Sequence, residues 1–157
     1  MMPWIKSALA GVIGGLFLVI MFELSIFAGL LPFELIPVLR FLEIIGLPFP
    51  LLGYSLAILC GVFWSLFLVF VFHNNTGWSR GLALGVIIWL GFILVFSPLA
   101  GWGLLGFEVA RTTWEVVGFL FISLLVYLLF GSVLGYLNNL WVYFDTGVED
   151  EISNYRQ

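Results

Sequence analysis

Charge is what this sequence has least of. Only 9% of its 157 residues are charged, against about 25% in a soluble domain. A water-facing globule with that surface would precipitate, so the chain reads as an integral membrane protein. Basic residues number five and form no patch, which excludes nucleic acid as a partner. One cysteine, Cys60, excludes an internal disulfide. One histidine, His73, excludes a bis-histidine haem site within the chain. Its place at the head of His73-Asn74-Asn75-Thr76-Gly77-Trp78-Ser79-Arg80 suits a surface loop; a single axial ligand to a pigment or haem is the sharper alternative.

Catalytic signatures are missing too. No HExxH, CxxC, GxGxxG, P-loop or Ser–His–Asp constellation is written here, so the chain is expected not to be an enzyme. No metal site and no cofactor are expected. Pigment, quinone or lipid contact would be a variant of a binding role.

What is abundant is apolar length. Crossing the hydrocarbon takes about 20 apolar residues as helix. Four runs meet that requirement: Ser7 to Leu31, Leu51 to Phe72, Gly81 to Gly106 and Val116 to Trp141. The expected fold is all-α, a polytopic membrane protein of four transmembrane helices in one domain over residues 1–144. The first run is too long for a signal peptide and places the bulky Ile26 two before Ala28, so it reads as an uncleaved span. Trp4, Trp78 and Trp141 then fall at one membrane surface, with Trp102 and Trp114 at the other. Trp64 and Trp89 are mid-span and are expected to pack in the protein. Lys6, Arg80 and Arg156 on the terminal side, against Arg40 and Arg111 opposite, favour a cell-membrane protein with both termini in the cytoplasm.

One phrase is written twice. Gly29-Leu30-Leu31-x-Phe33-Glu34 returns as Gly103-Leu104-Leu105-x-Phe107-Glu108. Sliding the chain by 74 residues gives ten identities over the 28 positions from Ser7 to Glu34, including Gly11-Val12-Ile13 on Gly85-Val86-Ile87. Spans two and four correspond after a gap, Gly61 on Gly131. This predicts two parallel tandem helical hairpins, repeat one over 7–72 and repeat two over 81–141, about a pseudo-twofold axis along the membrane normal. Such repeats occur in transporters; simple duplication of a stable hairpin is the plainer reading.

Small residues recur every four positions: Ser7, Gly11 and Gly15; Gly53, Ala57, Gly61 and Ser65; Gly81 and Gly85; Gly131 and Gly135. In lipid, such seams let helix backbones approach closely. They predict a compact bundle. A seam turned toward another protein is the functional alternative, with span two as the candidate.

The elbows differ. Residues 32–50 carry Pro32, Pro37, Pro48 and Pro50 around an amphipathic stretch, Leu35 to Ile45, with Glu34, Arg40 and Glu43 toward headgroups. The elbow over 98–115 is glycine-rich and ends in Glu108, Arg111 and Glu115, expected to share a helical face. Asn138-Asn139 is expected to end span four. The tail over 145–157 holds Asp145, Glu149, Asp150 and Glu151 and is expected to be solvated.

Two positions form a candidate intramembrane polar site. Glu23 lies two-thirds along span one, where a carboxylate costs about 2.5–3.5 kcal/mol. Its counterpart at a 74-residue offset is Ser97, beside Pro98. A shared polar pocket is one reading; a protonated Glu23 hydrogen-bonded between helices is the other. Cys60 reads as a small packed residue.

Arg80-Gly81, Trp89-Leu90, and Pro98 to Gly103 form a span that begins Arg-Gly, runs through Trp-Leu and ends in proline and glycines. Over roughly residues 7–140 this resembles a group of small uncharacterised prokaryotic membrane proteins with four spans. In that group a His often stands four residues before a Gly in spans two and four. Gly53, Gly61, Gly131 and Gly135 fit the glycines, while Ala57 and Tyr127 occupy the His positions. The resemblance implies the four-span fold and no particular activity.

Two functions compete. One is a non-enzymatic accessory or scaffold subunit, packed in membrane lipid beside other membrane chains or copies of itself. The other is a small oligomeric transporter or channel using Glu23. Lipid binding or membrane shaping through the proline-rich elbow is a third.

Overall fold

The computed structural model describes residues 3–31, 36–47, 49–72, 76–108, 110 and 112–154. His73, Asn74, Asn75, Glu34, Arg111, Arg156, Pro32 and Pro48 lie outside the described residues. The described chain is helical: α1 (Pro3–Phe27), α2 (Pro37–Ile44), α3 (Pro50–Phe72), α4 (Trp78–Gly91), a π-helical stretch (Phe92–Phe96), the single turn α5 (Ser97–Leu99), a 3-10 turn (Leu104–Gly106) and α6 (Thr113–Asn154). Four segments are long and apolar enough to span a bilayer: Trp4–Phe27, Pro50–Phe72, Trp78–Leu99 and Thr113–Trp141. The protein is thus a multi-pass helical membrane protein.

Glycine contacts hold α1 to α3 and α4 to α6, each pair antiparallel. A Cβ on Gly61 would lie 2.7 Å from Gly15 Cα, and one on Gly15 would lie 2.7 Å from Ile58 Cα. In the second pair, a Cβ on Gly131 would strike Gly81 O and lie 2.8 Å from Gly85 N. These are backbone-to-backbone crossings that a side chain would abolish. The same contacts recur 70 residues apart: Gly11 and Gly81, Gly15 and Gly85, Ile58 and Leu128, Gly61 and Gly131, Ser65 and Gly135. The packing offset of the first helices is therefore 70, one helical turn short of the 74 at which their letters match. Glycines at the crossing, rather than the flanking Val-Ile, determine which positions correspond.

The helix exits differ as well. Gly29, at φ 67°, ends α1: Gly29 N–H bonds Ile26 O, and Leu30 N–H bonds Ser25 O at 2.9 Å. Gly101, at φ 71°, ends α5 the same way, through Gly101 N–H to Pro98 O and Trp102 N–H to Ser97 O. Both are glycine C-caps that satisfy the last carbonyls. Gly103, at φ 70° and ψ 176°, instead lies in a conformation open only to glycine. The leading glycine of the doubled phrase thus ends a helix at Gly29 and precedes a 3-10 turn at Gly103.

The hairpins do not dock symmetrically. Helix α1 packs along α6, whereas α4 scarcely meets α3. Gly14 of α1 leaves room for Leu134 and Phe130 of α6. The position 70 later is Leu84, which is itself buried and offers no such groove. Helix α3 is consequently the span most open to lipid, and a twofold relation between hairpins is not what these contacts display.

Three other expectations are corrected. Helix α6 continues through Asn138-Asn139 to Asn154, because Asn138 turns into the bundle and does not compete for the backbone at a helix end. Span three stops at Leu99, and Trp102 is 3% exposed, packed on Phe92 and Phe119 instead of facing headgroups. Glu108 and Glu115 share no helix, since Thr112 precedes α6 and its Oγ1 accepts from Glu115 N–H at 3.3 Å.

Candidate functional site

Two polar clusters join helices near the opposite ends of the spans. At the terminal end, Ser7, Ser65 and Asn138 are buried at 1%, 0% and 3% exposure. Ser65 Oγ donates to Ser7 O at 2.7 Å, leaving the Ser7 hydroxyl to donate to Ser65 Oγ at 3.1 Å. Asn138 Nδ2 donates to Ser65 Oγ at 2.9 Å and to Leu134 O at 2.8 Å. One cluster thereby ties α1, α3 and α6. Sequence reasoning placed Ser7 and Ser65 on seams and missed Asn138; a polar residue one turn before the Trp141 anchor was the available signal. Interhelical hydrogen bonds in membranes average about 0.6 kcal/mol and reach about 1.7. A Ser65→Ala, Asn138→Leu double-mutant cycle is expected to give a coupling of about 1 kcal/mol, read from unfolding in mixed micelles. Additive effects would show that the bond contributes nothing.

At the elbow end, Glu23 accepts a hydrogen bond from Tyr54 Oη at 2.8 Å. Both side chains are partly buried. Glu23 is four residues inside Phe27, and Tyr54 four inside Pro50. At 1.5 Å per residue that is about 6 Å from the helix ends, near the headgroup boundary and well short of mid-bilayer. Tyr54 was not foreseen, although antiparallel pairing of α1 with α3 brings it opposite Glu23.

Ser97 does not meet Glu23. Its hydroxyl donates to Gly103 O at 2.9 Å, and the side chain is fully buried. By the C-cap pattern Ser97 corresponds to Ser25, whose hydroxyl donates to Met21 O at 2.7 Å. The shared pocket expected from the 74-residue offset is therefore replaced by two separately bonded groups. Just before Ser97 the helix widens, Ser97 N–H bonding Phe92 O five residues back. Pro98 follows, with no N–H to donate and a ring that crowds the preceding turn.

Aromatic rings fill the region between the two clusters, with one buried polar contact, Trp89 to Ser123, among them. Phe92 lies 6.2 Å from Phe22, 5.2 Å from Tyr127, 6.1 Å from Phe119 and 6.3 Å from Trp102, centroid to centroid. Phe22 lies 5.7 Å from Tyr127. Trp89, mid-span, donates through Nε1 to Ser123 Oγ at 3.0 Å.

The seam residues are spent inside the chain. Gly53, Ala57, Gly61 and Ser65 are buried, Gly53 against Leu39 of α2, so the span-two seam is not open to another protein. Gly131 and Gly135 face α4. Cys60, expected to pack, is exposed. Among the described residues no group of His, Cys, Asp and Glu could hold a metal ion. In the elbow, Arg40 and Glu43 of α2 pair with each other on the exposed side at 2.6 Å.

Four apolar spans with paired interior polar groups define a polytopic helical-bundle membrane protein. The chain belongs to a family of unknown function, DUF6789, whose model matches residues 1–143. No curated protein and no solved structure matches it.

Proposed function

We propose that this protein is a non-enzymatic accessory or scaffold subunit that packs beside a larger membrane complex. The observation that carries this reading is the uneven docking of the hairpins. It leaves α3 with a broad outward face, including Leu59 at 60%, Phe63 at 58% and Phe70 at 69% exposure. Phe63 also meets Trp64 edge-on and stacks with Phe67, giving an aromatic surface of the kind enriched at protein contacts. Such a surface suits a neighbouring chain. A photo-crosslinker at Phe63 is expected to capture a larger membrane protein, while one at Val117 of α6 captures lipid only. A lone monomer in mild detergent with no adduct at Phe63 would end this reading.

The duplication belongs to the same proposal. The 70-residue recurrence of glycine contacts supports descent from one two-helix unit, with asymmetric docking added later. The transporter alternative rests on Glu23. The aromatic layer between Glu23 and the Ser7–Ser65–Asn138 cluster weighs against a continuous polar lane. Proteoliposome flux abolished by Glu23→Gln would restore that alternative.

Both termini are proposed to face the cytoplasm of a cell-membrane protein. In a Cys60→Ala background, Thr112→Cys is expected to react with an impermeant thiol reagent on intact cells, and Ser79→Cys only after permeabilisation. The reverse pattern would invert the topology.

A further inference from the structure

We propose that Glu23 and Tyr54 form a binding site for the primary ammonium headgroup of an aminophospholipid, at the elbow end of the α1–α3 pair. Three features meet there. First, Glu23 has a neutral hydrogen-bond donor in Tyr54, and Arg40 of the neighbouring α2 pairs with Glu43. Lys6 stands 17 residues away along α1, about 25 Å at 1.5 Å per residue, and Arg80 sits at that same far end. A carboxylate has about four lone-pair positions, and Tyr54 occupies one of them. Because Tyr54 Oη donates its proton to Glu23, the same oxygen can still accept a hydrogen bond.

Second, the depth is right. About 6 Å inside the helix ends, the pair sits where phospholipid headgroups meet acyl chains. Third, the surroundings suit a lipid tail. Ile20, Leu24 and Phe27 of α1 are 54%, 56% and 92% exposed, and Leu51 of α3 is 80% exposed. The helices are pinned together by glycine at Gly11, Gly15 and Gly61. Toward the elbow, the Tyr54–Glu23 hydrogen bond links the two helices instead. An ammonium group with three N–H donors can bond both the Glu23 carboxylate and Tyr54 Oη; a trimethylammonium group cannot.

Native mass spectrometry of the protein from mixed nanodiscs tests this. Phosphatidylethanolamine is expected to be retained over phosphatidylcholine by roughly tenfold, the scale of one charged hydrogen bond. Glu23→Gln keeps the shape and removes the charge, and is expected to erase that preference. Tyr54→Phe is expected to weaken it partly. Free ethanolamine that displaces the lipid at low millimolar concentration would identify a soluble amine site and overturn the lipid assignment. Equal retention of the two lipids by the wild-type protein would overturn the site itself, whatever the variants do. So would a preference that appears only after Arg111→Ala, since an internal cation would then hold the place.

Discussion

Gly131→Leu is expected to be the most damaging single substitution in the membrane-spanning bundle. A Cβ at this position strikes Gly81 O and lies 3.0 Å from Gly85 Cα. Neither obstacle can rotate away, because both belong to helix backbone. Helices α4 and α6 would have to separate along their whole crossing, taking with them the contact of Gly135 on Gly77 O and Gly81. Overpacking costs about 1–3 kcal/mol where side chains can adjust; against backbone about 3 kcal/mol is the lower end. For a chain of this size that lowers Tm by about 6–12 °C, measured by static light scattering or circular dichroism in detergent. Gly61→Leu is expected to do the same to α1 and α3. Gly118→Leu, in the same helix as Gly131, has no neighbouring atom within 4 Å of its Cβ position and is expected to leave Tm unchanged. Because Gly→Leu gains helix propensity at both positions, equal losses at Gly118 and Gly131 would show that close approach does not decide the effect.

That contrast also marks how far the sequence could be read. The four spans were legible because each needs about 20 apolar residues, and no other pattern produces that. The small-residue seams were legible because lipid gives greasy side chains little reason to associate. The partners of each seam were not. Four stripes can be paired in several ways, and only the fold reveals that Gly61 meets Gly11 and Gly15 while Gly53 meets Leu39. The offset between the two halves differs by a turn from the letter match, since identical letters such as Val12-Ile13 and Val86-Ile87 are half-buried or exposed and do not mark the glycine crossings. Ser97 was matched to Glu23 on that offset; helix-end hydrogen bonding pairs it with Ser25 instead. Asn138 looked like a helix stop because Asn often is one at a helix end. Burial against Ser65 reverses that meaning, and burial of a single polar residue depends on a neighbouring helix that local pattern does not specify.

Phe92→Ala tests the centre of the bundle, where the two hairpins meet. The Phe92 ring contacts Phe22 from the first hairpin and Tyr127, Phe119 and Trp102 from the second half. It is 5% exposed. In water, removing such a ring costs about 3–5 kcal/mol. Here the transfer part of that cost shrinks, because an unpacked helix leaves its phenyl group in lipid and not in water. The cavity part remains, at about 24 cal/mol per Å³; a void of roughly 100 Å³ gives about 2–3 kcal/mol. Phe92→Leu fills most of the void and is expected to recover more than half of the loss. The location matters as much as the size. Phe22 and Phe92 stand 70 residues apart, the same offset at which the glycine crossings recur, so each is the other's counterpart at the hairpin junction. Phe22→Ala should therefore destabilise by a similar amount, and the double variant by less than the sum, because the two rings share one cavity. Steady-state unfolding in mixed micelles measures all three. A Phe22→Ala effect near zero beside a large Phe92→Ala effect would mean that the aromatic centre belongs to the second hairpin alone, and that the two halves merely lie side by side.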